Sequence, residues 1–295
     1  MIDNGPLVSI ITLTYNRRNI IDRSIVSALN QSYANFELIV IDDGSSDETG
    51  EFITNKRDER IFYYYFQHTG NVAKLRNIGI RRANGKYIAF LDSDDLWKPN
   101  KLSEQVKLLE KFPNAAITFC ATRRWNVKGV IKENHFSHLE IEMFPQDLFL
   151  KFIANDIIVI PSASLFRKSV MDTVGYSNEE LITGDIEFMS RILFHGEAIL
   201  DKRVLVEMTR NDDNMTKFIQ VESFQEYLFM LDKYYKMNKI GRPLYSKMYA
   251  RMSYHLATHY MGQNDTNNAR EVLLSIIRKR PIHIKALAML IKTYI

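Results

Sequence analysis

Short runs of apolar and β-branched residues alternate with helical patterns through the first hundred residues. Apolar residues recur at helical spacing over 19–32 and 71–84, between the runs. Alternating strands and helices are typical of βαβ units, so we predict an α/β fold with a mixed, mainly parallel sheet flanked by helices. The predicted strands are Leu7–Leu13, Phe36–Asp42, Ile61–Gln67 and Tyr87–Asp92.

The pattern changes twice along the rest of the chain. Longer apolar runs over 115–125 and 157–167, separated by irregular segments, predict strands of a mixed second half. After Asn214 four helical patterns follow one another to the last residue, which predicts an all-helical C-terminal extension. We therefore expect one domain over 1–216, made of halves 1–98 and 99–216, and a helical extension over 217–295, with the boundary near Lys217.

Polar residues follow the predicted strands, in the segments "TYN", "DDGSSD", "HTGN" and "DSDD". In an open α/β sheet, ligands bind at the carboxyl ends of the strands. The carboxylates of Asp92 and Asp94 are two residues apart, so a turn of the chain can bring both onto a divalent cation. A strand end with helix caps is the alternative, and we assign Asp95 as the N-cap of the helix predicted over 98–112.

Composition indicates an ordinary soluble globular protein, with 46% hydrophobic and 25% charged residues among 295. The one cysteine, Cys120, lies in an apolar run, which predicts a buried thiol in a reducing compartment. The N-terminus has no basic segment followed by an apolar one, and no run reaches the ~18 apolar residues of a membrane span. We expect a cytoplasmic protein.

Charge is distributed unevenly along the chain. Residues 217–295 hold 13 Lys or Arg and 5 Asp or Glu, a net charge of +8, so residues 1–216 carry −4 of the total of +4. The basic extension could contact the inner face of a cell membrane peripherally, form a solvated face, or make a homo-oligomer contact through its aromatic residues. Nucleic acid is not expected as a partner, because the positive charge is moderate and confined to this extension.

Four motifs in order resemble glycosyltransferase family 2, whose fold is the Rossmann-like GT-A fold. They are "VSIITLTYNR", "FELIVIDDGSSDET", "GNVAKLRNIGI" and "GKYIAFLDSDDLWKP", and the resemblance covers about 7–216. It implies an inverting hexosyl- or N-acetylhexosaminyltransferase that uses a nucleotide-sugar donor, residues 1–98 forming the nucleotide-sugar half and 99–216 the acceptor side. The acceptor would be a glycan or lipid-linked hydroxyl in polysaccharide or glycoconjugate biosynthesis. The "QxxRW" element of processive synthases is absent, which favours single additions.

The resemblance also implies roles for residues that bind the donor. Asp43 would accept a hydrogen bond from uracil N3–H, Tyr15 would pack on the base, and Leu13, at a usual proline position, would contact it through its backbone. Arg76 would contact the nucleotide, and Asp92 the ribose or sugar. Asp94 would bind Mn²⁺ or Mg²⁺ on the donor diphosphate. We expect Asp42 to be structural, as part of a turn.

The segment "LITGDIEFMSRILFHG" supplies the remaining candidates. Asp185 matches the aspartate of the family's "EDxxxxxR" element and would be the general base, although it could also cap a helix. Arg191 matches the arginine of that element, while Gly184 replaces its glutamate. The family's metal-proximal histidine is missing from "RNDDNMT", where Asp212 or Asp213 could replace it.

Two rival hypotheses belong to other classes. A nucleotidyltransferase of similar fold would carry a glycine-rich basic stretch after the first strand, and "TYNRRNIIDRS" has arginines but no glycine. A degenerate transferase domain could serve as a binding or scaffold protein, but intact Asp43, Asp94 and Asp185 argue against degeneration.

Overall fold

The fold is seen in a computed structural model that describes residues 5–126, 129–133, 142–143, 145–209 and 220–294. The chain divides into two compact units, Met1–Phe152 with Ile157–Asn211 and Ile153–Asp156 with Asp212–Ile295. The predicted boundary residue Lys217 lies outside the described residues.

One mixed sheet organises the first unit. Its strand order is β3-β2-β1-β4-β9-β6-β10-β5, with β7 paired to β6 and β8 to β10. The first four strands of this order pair in parallel, whereas β9 is antiparallel to both of its neighbours. The strands are β1 (Val8–Thr14), β2 (Phe36–Asp42), β3 (Ile61–Tyr65), β4 (Tyr87–Phe90), β5 (Asp95–Trp97), β6 (Ala115–Asn126), β7 (Gly129–Glu133), β8 (Glu142–Met143), β9 (Ser164–Arg167) and β10 (Glu197–Thr209).

Helices follow the strands of this unit. The sheet with its helices confirms the predicted α/β fold. The helices are α1 (Ile21–Leu29), α2 (Thr49–Thr54), α3 (Val72–Arg82), α4 (Lys101–Lys111), α5 (Pro145–Ile153), α6 (Val170–Val174) and α7 (Asp185–His195).

Strand register brings the polar segments to one edge of the sheet. Central strands buried on both faces read as continuous apolar runs, and all seven residues of β2 are buried. Thr14 of β1 pairs with Asp42 of β2, and Ile11 pairs with Phe90 of β4, so the chain leaves these parallel strands on the same side. Tyr15, Asp43 and Asp92 follow at that edge.

Helix α3 approaches β1 closely. The Asn71 side chain accepts a hydrogen bond from Lys74 N at 2.7 Å and so caps the first turn of α3. A Cβ on Gly79 would lie 2.5 Å from Ile11 Cγ2, so glycine at this position allows the helix to rest on the strand. Arg76 is buried on the same helix.

Two sequence predictions are wrong. The strand predicted over 157–167 is reduced to β9, because Pro161 begins a 3₁₀ turn and its ring removes the backbone donor that a ladder requires. Asp95 does not cap the following helix, because it is the first residue of β5, antiparallel to β10, and Asn100 precedes α4.

The second unit contains the predicted helices. A small core of Ala250, Ala257, Leu273, Ile276 and Ala286 holds three of them together. Among the described residues, no helix combines the length and apolarity needed to cross a membrane. The helices are α8 (Gln220–Lys236), α9 (Arg242–Gly262), α10 (Thr266–Lys279) and α11 (Ile284–Lys292).

Candidate active site

The first part of the site lies where β1 and β2 end, and the protein's own groups fill it. Both Asp43 carboxylate oxygens accept hydrogen bonds from the loop after β3: Thr69 N at 2.8 Å, Thr69 Oγ1 at 3.0 Å and Gly70 N at 2.8 Å. His68 Nδ1 lies 2.9 Å from the same carboxylate. A carboxylate has about four acceptor positions, so this loop occupies most of those of Asp43.

His68 also covers Tyr15. The two rings are stacked, with centroids 4.0 Å apart and planes 18° apart. A Cβ on Gly44 would lie 2.8 Å from His68 N, and φ at Gly44 is 87°, so glycine there admits the loop. We call Tyr15, Asp43 and loop 68–70 the base pocket. No sequence pattern indicated this role of His68.

Asp42 beside this pocket is structural, as expected. Its carboxylate accepts hydrogen bonds from Ser45 N at 2.8 Å and from the Tyr63 hydroxyl at 2.7 Å. These bonds hold the turn that follows β2, and burial together with this hydrogen bond raises the pKa of Tyr63 above its usual range.

The second part of the site is the turn after β4, which carries Asp92, Asp94 and Asp95; we call it the acidic turn. Burial, with Asp92 close by, raises the pKa of Asp94 to about 6. Burial and the charges of Asp92 and Asp94 raise the pKa of Asp95 well above its ordinary value. Asp94 lines a cleft with Arg23, Leu96 and others. Asp94 is thus a carboxylate that can be reached from this cleft, and a cation bound there would favour its ionised form.

Arg76 joins the acidic turn to the start of α7. Its guanidinium lies over the Phe90 ring at 4.9 Å, Nη2 is 3.4 Å from Asp92 Oδ1, and Nη1 is paired with Asp185 Oδ1. The arginine is buried, whereas both carboxylates are partly exposed. One fixed cation therefore orients the two carboxylates that the sequence assigned to the donor and to the general base.

The start of α7 is fixed by contacts with α3. Gly184 has φ 64°, and a Cβ there would lie 3.0 Å from Ala73 Cβ, which gives a physical reason why the family's glutamate is replaced. Asn77 Nδ2 donates to Ser177 O at 2.9 Å and holds the preceding segment. Gly184 is the N-cap residue, so Asp185 does not cap the helix but is its first residue.

Arg191 is placed for packing and not toward the acidic turn. It pairs with the buried carboxylate of Glu187 at 3.0 Å and donates to Tyr176 O at 2.8 Å and to Val174 O. These bonds fix α7 to the chain that leads into it. The contacts of Arg191 make it a positioning residue.

The described residues supply part of a metal site. Within the described ranges no group of three or more His, Cys, Asp or Glu side chains is arranged to hold a metal ion by itself, so further ligands would come from donor oxygens and water. The oxygen donors of Asp92 and Asp94 suit Mg²⁺ or Mn²⁺. Asp212 and Asp213 lie outside the described residues. Leu13 pairs with Ile41 in the sheet, one residue before Thr14 ends β1.

Comparison with known sequences gives a consistent result. Residues 9–175 match the profile of the family described as Glycosyl transferase family 2, more than half of the chain. An uncharacterized glycosyltransferase of Rickettsia typhi is 33% identical over 232 residues, 76% of this chain and 70% of that protein. The match to a Rickettsia bellii glycosyltransferase is 34% identical over 77% of this chain but spans only 32% of that protein.

A shorter match has a more specific description. The Escherichia coli protein WfaP, a UDP-Glc:alpha-D-GlcNAc-diphosphoundecaprenol beta-1,3-glucosyltransferase, is 42% identical over 104 residues, 35% of this chain and 41% of that protein. These residues are about a third of the chain, so they do not by themselves carry over a donor or an acceptor.

Solved structures agree on the fold. Staphylococcus aureus TarS 1–349 superposes with a TM-score of 0.68 at 18% identity, over 97% of this chain and 88% of that one. The same protein has been solved with UDP and with UDP-GlcNAc. The mannosyltransferase PcManGT of Pyrobaculum calidifontis, solved with GDP-Man and Mn²⁺, has a TM-score of 0.61 at 16% identity over 98% of this chain and 79% of that one.

Proposed function

The chain belongs to glycosyltransferase family 2, and from that premise we propose that this glycosyltransferase is metal-dependent and inverting, and that it takes its sugar from a UDP-sugar. The observation that carries the proposal is the pairing of Arg76 with both Asp92 and Asp185. It brings a candidate donor-binding carboxylate and a candidate base to the same cation, on either side of the point where a sugar would be transferred.

Asp185 is the proposed general base. Its carboxylate takes the proton of an acceptor hydroxyl while that oxygen attacks the anomeric carbon, and the carbon–oxygen bond to the diphosphate breaks on the opposite face. One displacement of this kind inverts the anomeric configuration. The Arg76 guanidinium pairs with Asp185 and orients its carboxylate.

The acidic turn is the proposed site of the diphosphate. Asp94 would hold Mn²⁺ or Mg²⁺ there, and the ion would neutralise charge that develops on the leaving diphosphate. The oxygen donors and the raised pKa of Asp94 support this role, because burial and the charge of Asp92 raise the pKa and a bound cation would favour the ionised carboxylate. Asp92 faces the ribose or the sugar in this proposal.

Uracil recognition requires a change in the base pocket. Tyr15 and Asp43 are the proposed partners of the base, but His68 lies on the ring of one and beside the carboxylate of the other. We propose that the base takes the place of His68 against Tyr15 and donates its N3–H to the Asp43 carboxylate. Leu13 contributes its backbone at the end of β1.

The acceptor and the location are also proposals. UDP-Glc in the name of WfaP, and UDP and UDP-GlcNAc in the TarS complexes, support a uridine nucleotide and a hexosyl or N-acetylhexosaminyl group. The diphosphoundecaprenol acceptor of WfaP supports a glycan or lipid-linked hydroxyl in polysaccharide or glycoconjugate assembly. The buried thiol of Cys120 supports a cytoplasmic site of action.

A donor and acceptor screen tests the proposal. UDP-hexoses and UDP-N-acetylhexosamines, with GDP-mannose as a control, are incubated with lipid-linked and free glycan acceptors in Mn²⁺ or in chelator. We expect metal-dependent release of UDP and a product whose anomeric proton coupling in NMR shows inversion. A product of retained configuration, or equal turnover in chelator, would refute the mechanism.

A further inference from the structure

Helix α11 carries apolar residues on two opposite sides. On its inner side Ala286, Met289 and Leu290 join the small core of the second unit. On its outer side Ile284 and Ile291 are 76% and 63% exposed, with Leu287 between them. A surface helix normally has one apolar side and one polar side, so the outer side requires a partner.

The outer residues form a continuous stripe. Ile284, Leu287 and Ile291 follow the spacing i, i+3, i+7, which aligns them along one side of a helix. Tyr294, 67% exposed, extends the line past the last helical turn. We call these four residues the α11 stripe. Its length is that of about three helical turns, and exposed stripes of this kind mark interaction sites.

The charged residues of the segment that carries the α11 stripe are of one sign. Residues 272–295 contain five Lys or Arg and no Asp or Glu. All five are exposed, and Lys279 also donates to the Tyr245 hydroxyl at 2.8 Å. A second copy of this chain would bring the same cations against one another, which disfavours a symmetric dimer through this stripe.

We propose that the α11 stripe binds the surface of an anionic membrane. Its apolar side chains enter the boundary between headgroups and acyl chains, and the exposed cations of the segment contact lipid phosphates. A helix of nine residues is ~14 Å long at 1.5 Å per residue, too short to span a bilayer, so it lies in the plane of the surface. The tyrosine of the stripe has an apolar ring with a polar tip, which suits this boundary.

This surface is separate from the transfer reaction. Membrane binding would bring the enzyme to a lipid-linked acceptor if the proposed function is correct. It needs neither the donor nor the acceptor, so the two proposals can fail independently.

Co-sedimentation with vesicles tests the proposal. The full chain is mixed, in ~100 mM salt, with phosphatidylcholine vesicles or with vesicles that also contain about 30% phosphatidylglycerol. We expect binding to the anionic vesicles that weakens as salt is raised. The double variant Ile284→Glu with Ile291→Glu should lower partitioning at least tenfold. Lys285→Gln should lower it about fivefold, the equivalent of ~1 kcal/mol per basic residue near an anionic surface.

Matched controls separate the alternatives. Phe229→Glu changes an exposed apolar residue on α8 and should leave partitioning unchanged. The melting temperature reports whether each variant is folded, and UDP binding reports whether the first unit is unaffected. Absence of binding to anionic vesicles would overturn the proposal. Light scattering that detects a dimer dissociated by the double glutamate variant would also overturn it, and would assign the stripe to a contact between copies.

Discussion

The base pocket and the acidic turn lie at the same edge of the sheet but differ in how their charges are satisfied. In the base pocket, three hydrogen bonds and His68 surround the single carboxylate of Asp43. In the acidic turn, burial and the neighbouring carboxylates raise the pKa values of Asp94 and Asp95. The protein's own groups fill the first end, whereas carboxylates lie close to one another at the second.

The base pocket and the acidic turn are therefore expected to respond differently to a donor. A base that enters the first pocket must replace protein contacts of similar strength, so the net affinity gained there is small. A cation that enters the second end removes a repulsion already present. We therefore expect the metal and diphosphate to supply most of the binding free energy, and the base pocket to supply selectivity.

The largest effect is expected at Asp185. Asp185→Asn removes the proposed proton acceptor while it keeps the size of the side chain, so kcat should fall by about 10²–10⁴. Binding of UDP should change by less than about threefold, because the proposed base acts on the acceptor hydroxyl and not on the nucleotide. Turnover measured by UDP release and affinity measured by calorimetry check the two halves of this prediction.

Asp172→Asn is the matched control, since Asp172 is also an acid in the first turn of a helix, α6, and is exposed. It should retain wild-type turnover. Full activity of Asp185→Asn would remove Asp185 as the base, and the link through Arg76 would then be structural only.

A smaller effect is expected at His68. His68→Ala vacates the face of Tyr15 and frees part of Asp43, so UDP affinity should rise about three- to tenfold if the pocket is mostly occupied by the side chain. His68→Phe keeps the stacking but not the contact with Asp43, and affinity should stay at or below that of the wild type. Calorimetric titration with UDP and Mn²⁺ measures both. A loss of affinity in His68→Ala would show that the imidazole binds the base and does not compete with it.

The smallest effect concerns Lys101, a buried charge outside the two ends. Its Nζ lies 3.8 Å from the centre of the Trp97 ring and donates to Ser164 O at 3.3 Å. Burial lowers the pKa of Lys101 to about 7. From pH 7 to about 10.5 the unfolded chain carries the proton and the folded one does not, so this residue makes stability rise with pH in that window.

Lys101→Met should therefore raise the melting temperature at pH 6 by a few degrees, with a smaller gain at pH 9. Lys107→Met, on the exposed side of the same helix, is the control and should change little. If Lys101→Met instead lowered the melting temperature at both pH values, the contacts with Trp97 and Ser164 would outweigh the cost of burying the charge. A higher melting temperature for Lys101→Met would show that this fold is destabilised by a buried charge. The partly buried carboxylates of the acidic turn would then be explained by ligand binding.

The sequence predicts the first half of the fold well. β2 has the predicted bounds, and β1 and β4 agree to within two residues, because strands buried on both faces leave continuous apolar runs. β10 was not predicted. Its charged residues Asp201, Lys202 and Arg203 interrupt the apolar pattern, and a register irregularity against β6 follows Asp201.

The candidate site is predictable in part for a similar reason. Motifs at strand ends identify residues near a ligand edge, but side-chain pairing depends on long-range geometry. Arg76 and Asp185 come from helices more than a hundred residues apart, and no local pattern announces their contact. His68 follows an exposed edge strand without periodicity, so its position on Tyr15 required the folded chain.

The central claim, a metal-assisted UDP site, is tested most directly by the melting temperature in UDP with and without Mn²⁺. A ligand that binds the folded state raises the melting temperature with the logarithm of its saturation. The account predicts a shift with UDP and Mn²⁺ together, a much smaller shift with UDP in chelator, and loss of the metal-dependent part in Asp94→Ala but not in Asp172→Asn. An equal shift in chelator, or a full shift in Asp94→Ala, would contradict it.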